Sequence, residues 1–193
     1  MSEQQKQFVT ITLWTFALLF VLRLLINWGE LTNLIQINRI SSLVYSVIGY
    51  IGEVIGVTSL IMLFFEKKAW RWKFFTKIHS VPVLSPRYIG KFISSYDNTS
   101  RECELFLKQS FLNIEIKFKT SESTSNSITA SINTINGNQN LIYTYLNVPK
   151  AELQQNSMIH YGTVILDIDN PEKLEGNYYT SRESRGSMVF EIK

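Results

Sequence analysis

Two uninterrupted apolar runs, 8–28 and 43–65, are followed by more than a hundred residues in which apolar and polar positions alternate. At about 1.5 Å per helical residue each run reaches across roughly 30 Å of hydrocarbon, so both are expected as membrane spans rather than core helices. The first run is full length and leads into Asn27, Trp28 and Glu30 rather than a small-residue cleavage site, so it reads as a retained span and not a signal peptide. Beyond residue 88 the period drops to two. In 102–109, Cys103, Leu105 and Leu107 share one face, and in 111–120, Leu112, Ile114, Ile116 and Phe118 oppose Asn113, Glu115, Lys117 and Lys119. Alternation of this kind marks half-buried strands. The same count predicts eight of them: 88–96, 102–109, 111–120, 123–133, 141–148, 159–168, 174–182 and 187–192. Turn residues separate them, including Asn98, Asn136-Gly137, Asp169-Asn170-Pro171 and Arg185-Gly186. These connections are too short for the helical crossovers that parallel strands need. The expected fold is therefore a transmembrane helical hairpin, residues 1–78, carrying an all-β, antiparallel, eight-stranded up-and-down barrel, residues 79–193. A barrel of that size has an interior suited to one small ligand. The longest interruption, 151–157, is expected to be a short helix or a lid over one end.

Charge gives the hairpin a direction. Lys6 precedes the first run and Lys67, Lys68, Arg71, Lys73 and Lys77 follow the second, whereas the connecting segment 29–42 offers only Arg39 beside Glu30. The positive-inside bias then predicts both termini in the cytoplasm and a short turn outside. Trp70 and Trp72, interleaved with the basic cluster, suit the headgroup layer, where an indole buries its ring and still donates its N–H. A juxtamembrane position already explains those charges, so no nucleic-acid polymer is expected as a partner. The net charge of +3 divides into +4 over residues 1–78 and −1 over 79–193, so the basicity belongs to the membrane end. A single cysteine, Cys103, excludes an intrachain disulfide, in keeping with a cytoplasmic domain.

Glu53, near the middle of the second run, is out of place in hydrocarbon, where a carboxylate is costly unless protonated or partnered. Arg23, about one turn inside the end of the first run, could snorkel outward or reach toward Glu53. Gly49, Gly52 and Gly56 put small residues on one helix face, with Gly52 and Gly56 at the spacing that lets membrane helices approach closely. These five residues either serve a plain anchor or form a surface for self-association in the bilayer.

No catalytic constellation emerges, and the chain is not expected to be an enzyme. His79 and His160 are the only histidines and have no metal-ligand spacing with Cys103, so neither a metal nor a cofactor is expected. There is no Gly-x-Ser-x-Gly elbow and no phosphate loop. Asp167 and Asp169 precede Asn170-Pro171 and read as a strand end. In the Ser/Thr-rich stretch, Thr124, Asn126, Ile128, Ala130 and Ile132 share one face and the serines the other. If the isoleucine face points inward, Thr124 and Asn126 form the polar rim of the cavity; otherwise the segment is a polar edge strand. The chemistry lies in the last third, where Tyr143 and Tyr145, His160-Tyr-Gly162 and Gly176-Asn-Tyr178 through Arg182 to Arg185-Gly186 bring rings and two guanidinium groups onto adjacent strands. Tyrosine faces stack on bases and arginine forks bind phosphate.

Two spans, a basic aromatic junction and an eight-strand domain with Tyr143-Thr-Tyr145, His160-Tyr-Gly162 and Gly176-Asn-Tyr178 through Arg182 to Gly186 resemble the two-transmembrane β-barrel effectors of CBASS, the bacterial cyclic-oligonucleotide antiphage system. The resemblance covers nearly the whole chain. It implies a lipocalin-like barrel that binds a cyclic dinucleotide made by a partner CD-NTase nucleotidyltransferase after infection. It further implies ligand-promoted homo-oligomers that disrupt the lipids of the bacterial inner membrane and cause abortive infection. On that reading the ligand residues are drawn from Thr124, Asn126, Tyr143, Tyr145, His160, Tyr178, Arg182 and Arg185, and the membrane assembly residues from Arg23, Gly49, Gly52, Glu53 and Gly56. Two other classes stay open: a membrane-anchored carrier or sensor of a lipid or other small molecule, and a protein-docking module whose barrel is filled by its own side chains.

Overall fold

A computed structural model describes residues 2–155 and 157–192. The chain divides into two compact units, Met1–His79 and Ser80–Lys193.

The first unit is helical. Helix α1 (Glu3–Ile26) opens on a reciprocal cap in which Ser2 Oγ accepts from Gln5 N at 3.2 Å and Ser2 N donates to Gln5 Oε1 at 2.9 Å. Within it the hydroxyls of Thr10, Thr12 and Thr15 donate to carbonyls one turn back, so no hydroxyl of these three is left bare on an apolar helix. Helices α1 and α3 (Ile40–Lys67) are both long and apolar enough to cross a membrane. Between them the expected short turn is replaced by a helix, α2 (Trp28–Gln36). Its residues separate into an apolar side, with Leu31 buried, and a polar side bearing Thr32, Asn33 and Gln36, which is a helical and not a loop pattern. Asn38, with φ of 53°, takes the left-handed position that ends it, and Arg39 N bonds back to Leu34 O at 3.0 Å.

Helix α3 buries Tyr50, Val54, Thr58 and Met62, one residue per turn, and then Phe65. Gly49, Gly52 and Gly56 lie off that stripe, and a Cβ on any of them would meet no atom within 4 Å. Arg23 resolves the two options open to it: its Nε donates to Glu53 Oε2 at 2.8 Å. The same guanidinium sits 4.4 Å from the Tyr50 ring, and Tyr50 in turn donates to Glu30 Oε2 at 3.0 Å. The four polar residues thus join all three helices. After α3, Trp72 is exposed as a headgroup residue should be, but Trp70 is fully buried. It packs beside His79, whose Nε2 lies 2.9 Å from Trp70 O, so it serves the fold of the junction rather than the headgroup layer.

The second unit is a closed barrel of eight strands in chain order: β1 (Arg87–Ser94), β2 (Ser100–Gln109), β3 (Ile114–Thr120), β4 (Ser123–Ile135), β5 (Asn138–Pro149), β6 (His160–Asp167), β7 (Lys173–Thr180) and β8 (Arg185–Ile192). All neighbours are antiparallel, and β8 closes on β1. Asn136 and Gly137, with φ of 50° and 89°, make the two-residue turn between β4 and β5 whose twist matches the strands.

One end of the barrel is sealed. Phe111, Ile168, Leu84 and Tyr88 are buried there, and the segment 80–86 is strapped down by Gln109, which donates from Nε2 to Pro82 O at 2.8 Å and accepts from Leu84 N at 3.0 Å. Tyr88 OH donates to Pro171 O at 2.7 Å and accepts from Ser85 N at 2.9 Å. Leu105, Leu141, Leu166, Leu174 and Phe190, none of them measurably exposed, fill the interior as one core. The opposite end stays open.

Candidate ligand-binding site

At the open end, where the β1–β2, β3–β4, β5–β6 and β7–β8 connections gather, the barrel holds a cavity of about 500 Å³. That is the size range of small-molecule sites, roughly 300–1,000 Å³. Its walls follow from strand parity. On β5 the buried line Leu141, Tyr143, Tyr145, Asn147 and Pro149 runs from core to mouth, and on β7 the line through Leu174, Gly176 and Tyr178 continues past Thr180 to Arg182.

Aromatic rings make the lower wall. Phe92 stands edge-on to Tyr178 and to Phe118, at 6.2 and 5.8 Å between centroids, and Tyr143 and Tyr145 are 6.2 Å apart. Glycines make room for two of these rings. Gly162 faces Tyr145 across β5 and β6, Gly186 faces Tyr178 across β7 and β8, and a Cβ on either glycine would run into the ring opposite. The His160-Tyr-Gly162 and Arg185-Gly186 motifs therefore carry packing as well as chemistry. Gly162→Ala is expected to displace Tyr145 and the Tyr179 carbonyl beside it, lowering Tm and weakening ligand binding together, as read by calorimetry and titration.

Polar groups ring the mouth. Burial holds the hydroxyls of Tyr143 and Tyr145 protonated well beyond the ordinary tyrosine range. Cys103 is a core thiol pushed up to about 12 by burial, unsuited to nucleophilic work. Burial lowers His160, against a raising contact from its ring Nδ1 to Met158 O at 3.0 Å. Arg182 has no ion pair among the described residues and touches Ser157 Oγ at 3.3 Å from Nη1.

Five expected ligand residues, Tyr143, Tyr145, His160, Tyr178 and Arg182, line this one cavity. Three do not. Arg185 sits on the opposite parity of β8 from Gly186, Met188 and Phe190, so its side chain is exposed outside, and it serves the barrel through its backbone, whose N–H donates to Ser95 Oγ at 3.1 Å and whose carbonyl accepts from Ser95 N at 2.8 Å. Thr124 and Asn126 also face away, against the expectation of an inward isoleucine face. The register of β4 against β5 slips between Ser127 and Thr129, leaving Ile128 as an extra, exposed residue. Such a bulge inverts the alternation. Ala130 and Ile132 point inward after it, as expected, but before it Ser123 and Ser125 do. Ser127 Oγ takes the Ile116 N–H at 2.9 Å, supplying the bond the slip would cost β3.

Two site features lay outside the expected set. Arg101 lines the cavity at the start of β2, forked onto the Asp97 carboxylate, which it holds well below the usual carboxylate range. Extending the Cys103, Leu105, Leu107 line two residues backward would have found it. The second is Ser125 Oγ donating to Asn147 Oδ1 at 2.8 Å, both residues buried. Of the 151–157 interruption, Ala151–Leu153 is a single 3₁₀ turn, and Leu153 and Ser157 border the mouth.

Among known proteins, the chain is 29% identical over 189 residues to CD-NTase-associated protein 15 of Staphylococcus schleiferi, covering 97% of each. A redesigned β-barrel matches structurally with a TM-score of 0.42 and 10% identity, over 57% of this chain and 91% of its own. Residues 79–192 match the family model described as Cap15, cyclic dinucleotide receptor domain, which takes in every strand of the barrel. The chain belongs to the Cap15 cyclic dinucleotide receptor family.

Proposed function

We propose that this chain is a CBASS effector whose barrel binds a cyclic dinucleotide produced by a partner CD-NTase, without catalysing a reaction of its own and without a cofactor. The observation that carries the reading is one open cavity of about 500 Å³ with Tyr143, Tyr145, Tyr178 and Phe118 along its walls and Arg182 at its mouth. Rings supply stacking faces of about 1–3 kcal/mol per base, and a guanidinium supplies a forked partner for phosphate. The cavity left at the open end of the barrel disfavours a docking module with a filled barrel.

Binding then promotes self-association through α1 and α3, and the assembled helices disrupt the inner membrane. Three features support this output: the lengths of the two helices, the uncovered glycine face of α3, and the Arg23–Glu53 pair placed on apolar helices. The basic cluster after α3 supports an orientation with both termini in the cytoplasm, where the nucleotide would be made.

The test uses the full chain, first in detergent and then in liposomes filled with a self-quenched dye. A cyclic dinucleotide at 100 times its Kd should stabilise the protein by about 2.7 kcal/mol and release the dye. Stabilisation by fatty acids or phospholipids, with none from any cyclic dinucleotide, would favour the lipid carrier instead.

A further inference from the structure

Tyr143 lines the cavity and is 2% exposed, yet its hydroxyl is buried and meets no hydrogen-bond partner among the described residues. The Tyr143 and Tyr145 ring centroids lie 6.2 Å apart. Buried polar groups in native proteins are almost always paired, so an orphan carried by a side chain that lines a cavity points to a polar atom brought in by what fills the cavity.

Four residues further along the same inward line stands a different kind of polar group. Asn147 is 6% exposed, and its Oδ1 is already taken by Ser125 Oγ at 2.8 Å, which leaves the amide N–H donors as what it can offer a ligand. Four residues of strand separate the two positions by about 13 Å. That exceeds the edge of a single base and suits a ligand with a base at each end.

We infer that the two bases are read by different groups: one lies deep with a polar edge atom on the Tyr143 hydroxyl, and the other, nearer the mouth, accepts from the Asn147 amide. Ser125 is a positioning residue that fixes the amide orientation. This deepens the cyclic dinucleotide reading and rests on it. Because a single barrel has no symmetry across its cavity, the two bases of a mixed ligand are not interchangeable. Arg182, at the level of phosphate, contributes affinity without reading either base.

The experiment measures Kd for the full chain in detergent against cyclic di-AMP, cyclic di-GMP, cyclic di-UMP and cyclic AMP–GMP. Tyr143→Phe should leave the ligand-free Tm unchanged or raised, because it removes an unpaired buried group. It should also weaken the best ligand about tenfold and reorder the panel. Ser125→Ala should reorder the panel differently, and Ser125→Thr should restore the wild-type order. Arg182→Ala should weaken every member by a common factor. If Tyr143→Phe and Ser125→Ala both bind all four ligands in the wild-type order and with wild-type Kd, the inference is overturned while the ligand class stands. If no member binds the wild-type chain, both fall.

Discussion

Arg182→Ala is expected to weaken cyclic dinucleotide binding about 10- to 150-fold, the loss of one charged hydrogen-bonding group worth about 1.5–3 kcal/mol. The expectation rests on where this guanidinium is and on what it does not do. It stands just past the end of β7 at the mouth of the cavity, where its Nη1 donates to Ser157 Oγ at 3.3 Å and, among the described residues, no carboxylate pairs with it. With no ion pair among the described residues to lose, the variant should keep its ligand-free stability within about 0.5 kcal/mol of the parent's. Arg101 differs in this respect, since its fork is already engaged by Asp97 and lies 3.9 Å from Glu122, so removing it costs structure before it costs phosphate. Arg182→Lys should recover part of the affinity, because an ammonium keeps the charge and loses the planar fork. Titration of the full chain in detergent checks this, and wild-type affinity in Arg182→Ala would remove Arg182 from the phosphate site.

Glu53→Leu is expected to leave ligand affinity unchanged and to cut ligand-triggered dye release at least tenfold. The carboxylate is half-way along α3, held by Arg23 at 2.8 Å, and its side chain is still 59% exposed on a helix otherwise suited to lipid. An ionised group at that depth costs about 2.5–3.5 kcal/mol on insertion, so the pair is an expensive way to build a simple anchor. Removing Glu53 alone leaves Arg23 uncompensated, which by itself disturbs the hairpin; the double variant Arg23→Leu/Glu53→Leu separates the two effects. If the ion pair only holds the hairpin together, the double variant inserts and leaks normally, and Glu53 has no part in the output. Continued loss of leakage in a well-inserted double variant places these side chains in the assembled state.

Much of this architecture is readable from local patterns. Hydrocarbon thickness makes an apolar run of twenty or more residues long enough to span, and period-two alternation makes 102–109 or 141–148 a strand without reference to any other segment. Alternation puts Tyr143 and Tyr145 on one face of β5, but that this face and Tyr178 point inward, with Arg182 beside them in the following turn, is decided by barrel closure. Helix α2 is hidden in the sequence because its nine residues, though amphipathic, sit between two much longer apolar runs and read as a short connection, whereas burial of Leu31 shows which side packs.

Alternation defines two faces of a strand but not where they exchange. In β4 a single bulge at Ser127–Thr129 turned Thr124 and Asn126 outward and brought in Ser125, whose partner Asn147 is 22 residues away in the chain. The sequence by itself determined the spans, the strands and their antiparallel order, because each depends on the period and length of a contiguous segment. Barrel closure and helix pairing decided that Arg101 and not Arg185 stands at the mouth, that Tyr143 has an unpaired hydroxyl, and that Arg23 meets Glu53. Those contacts join residues remote in the chain, and the distance between such residues exists only once the strands have closed and the helices have packed.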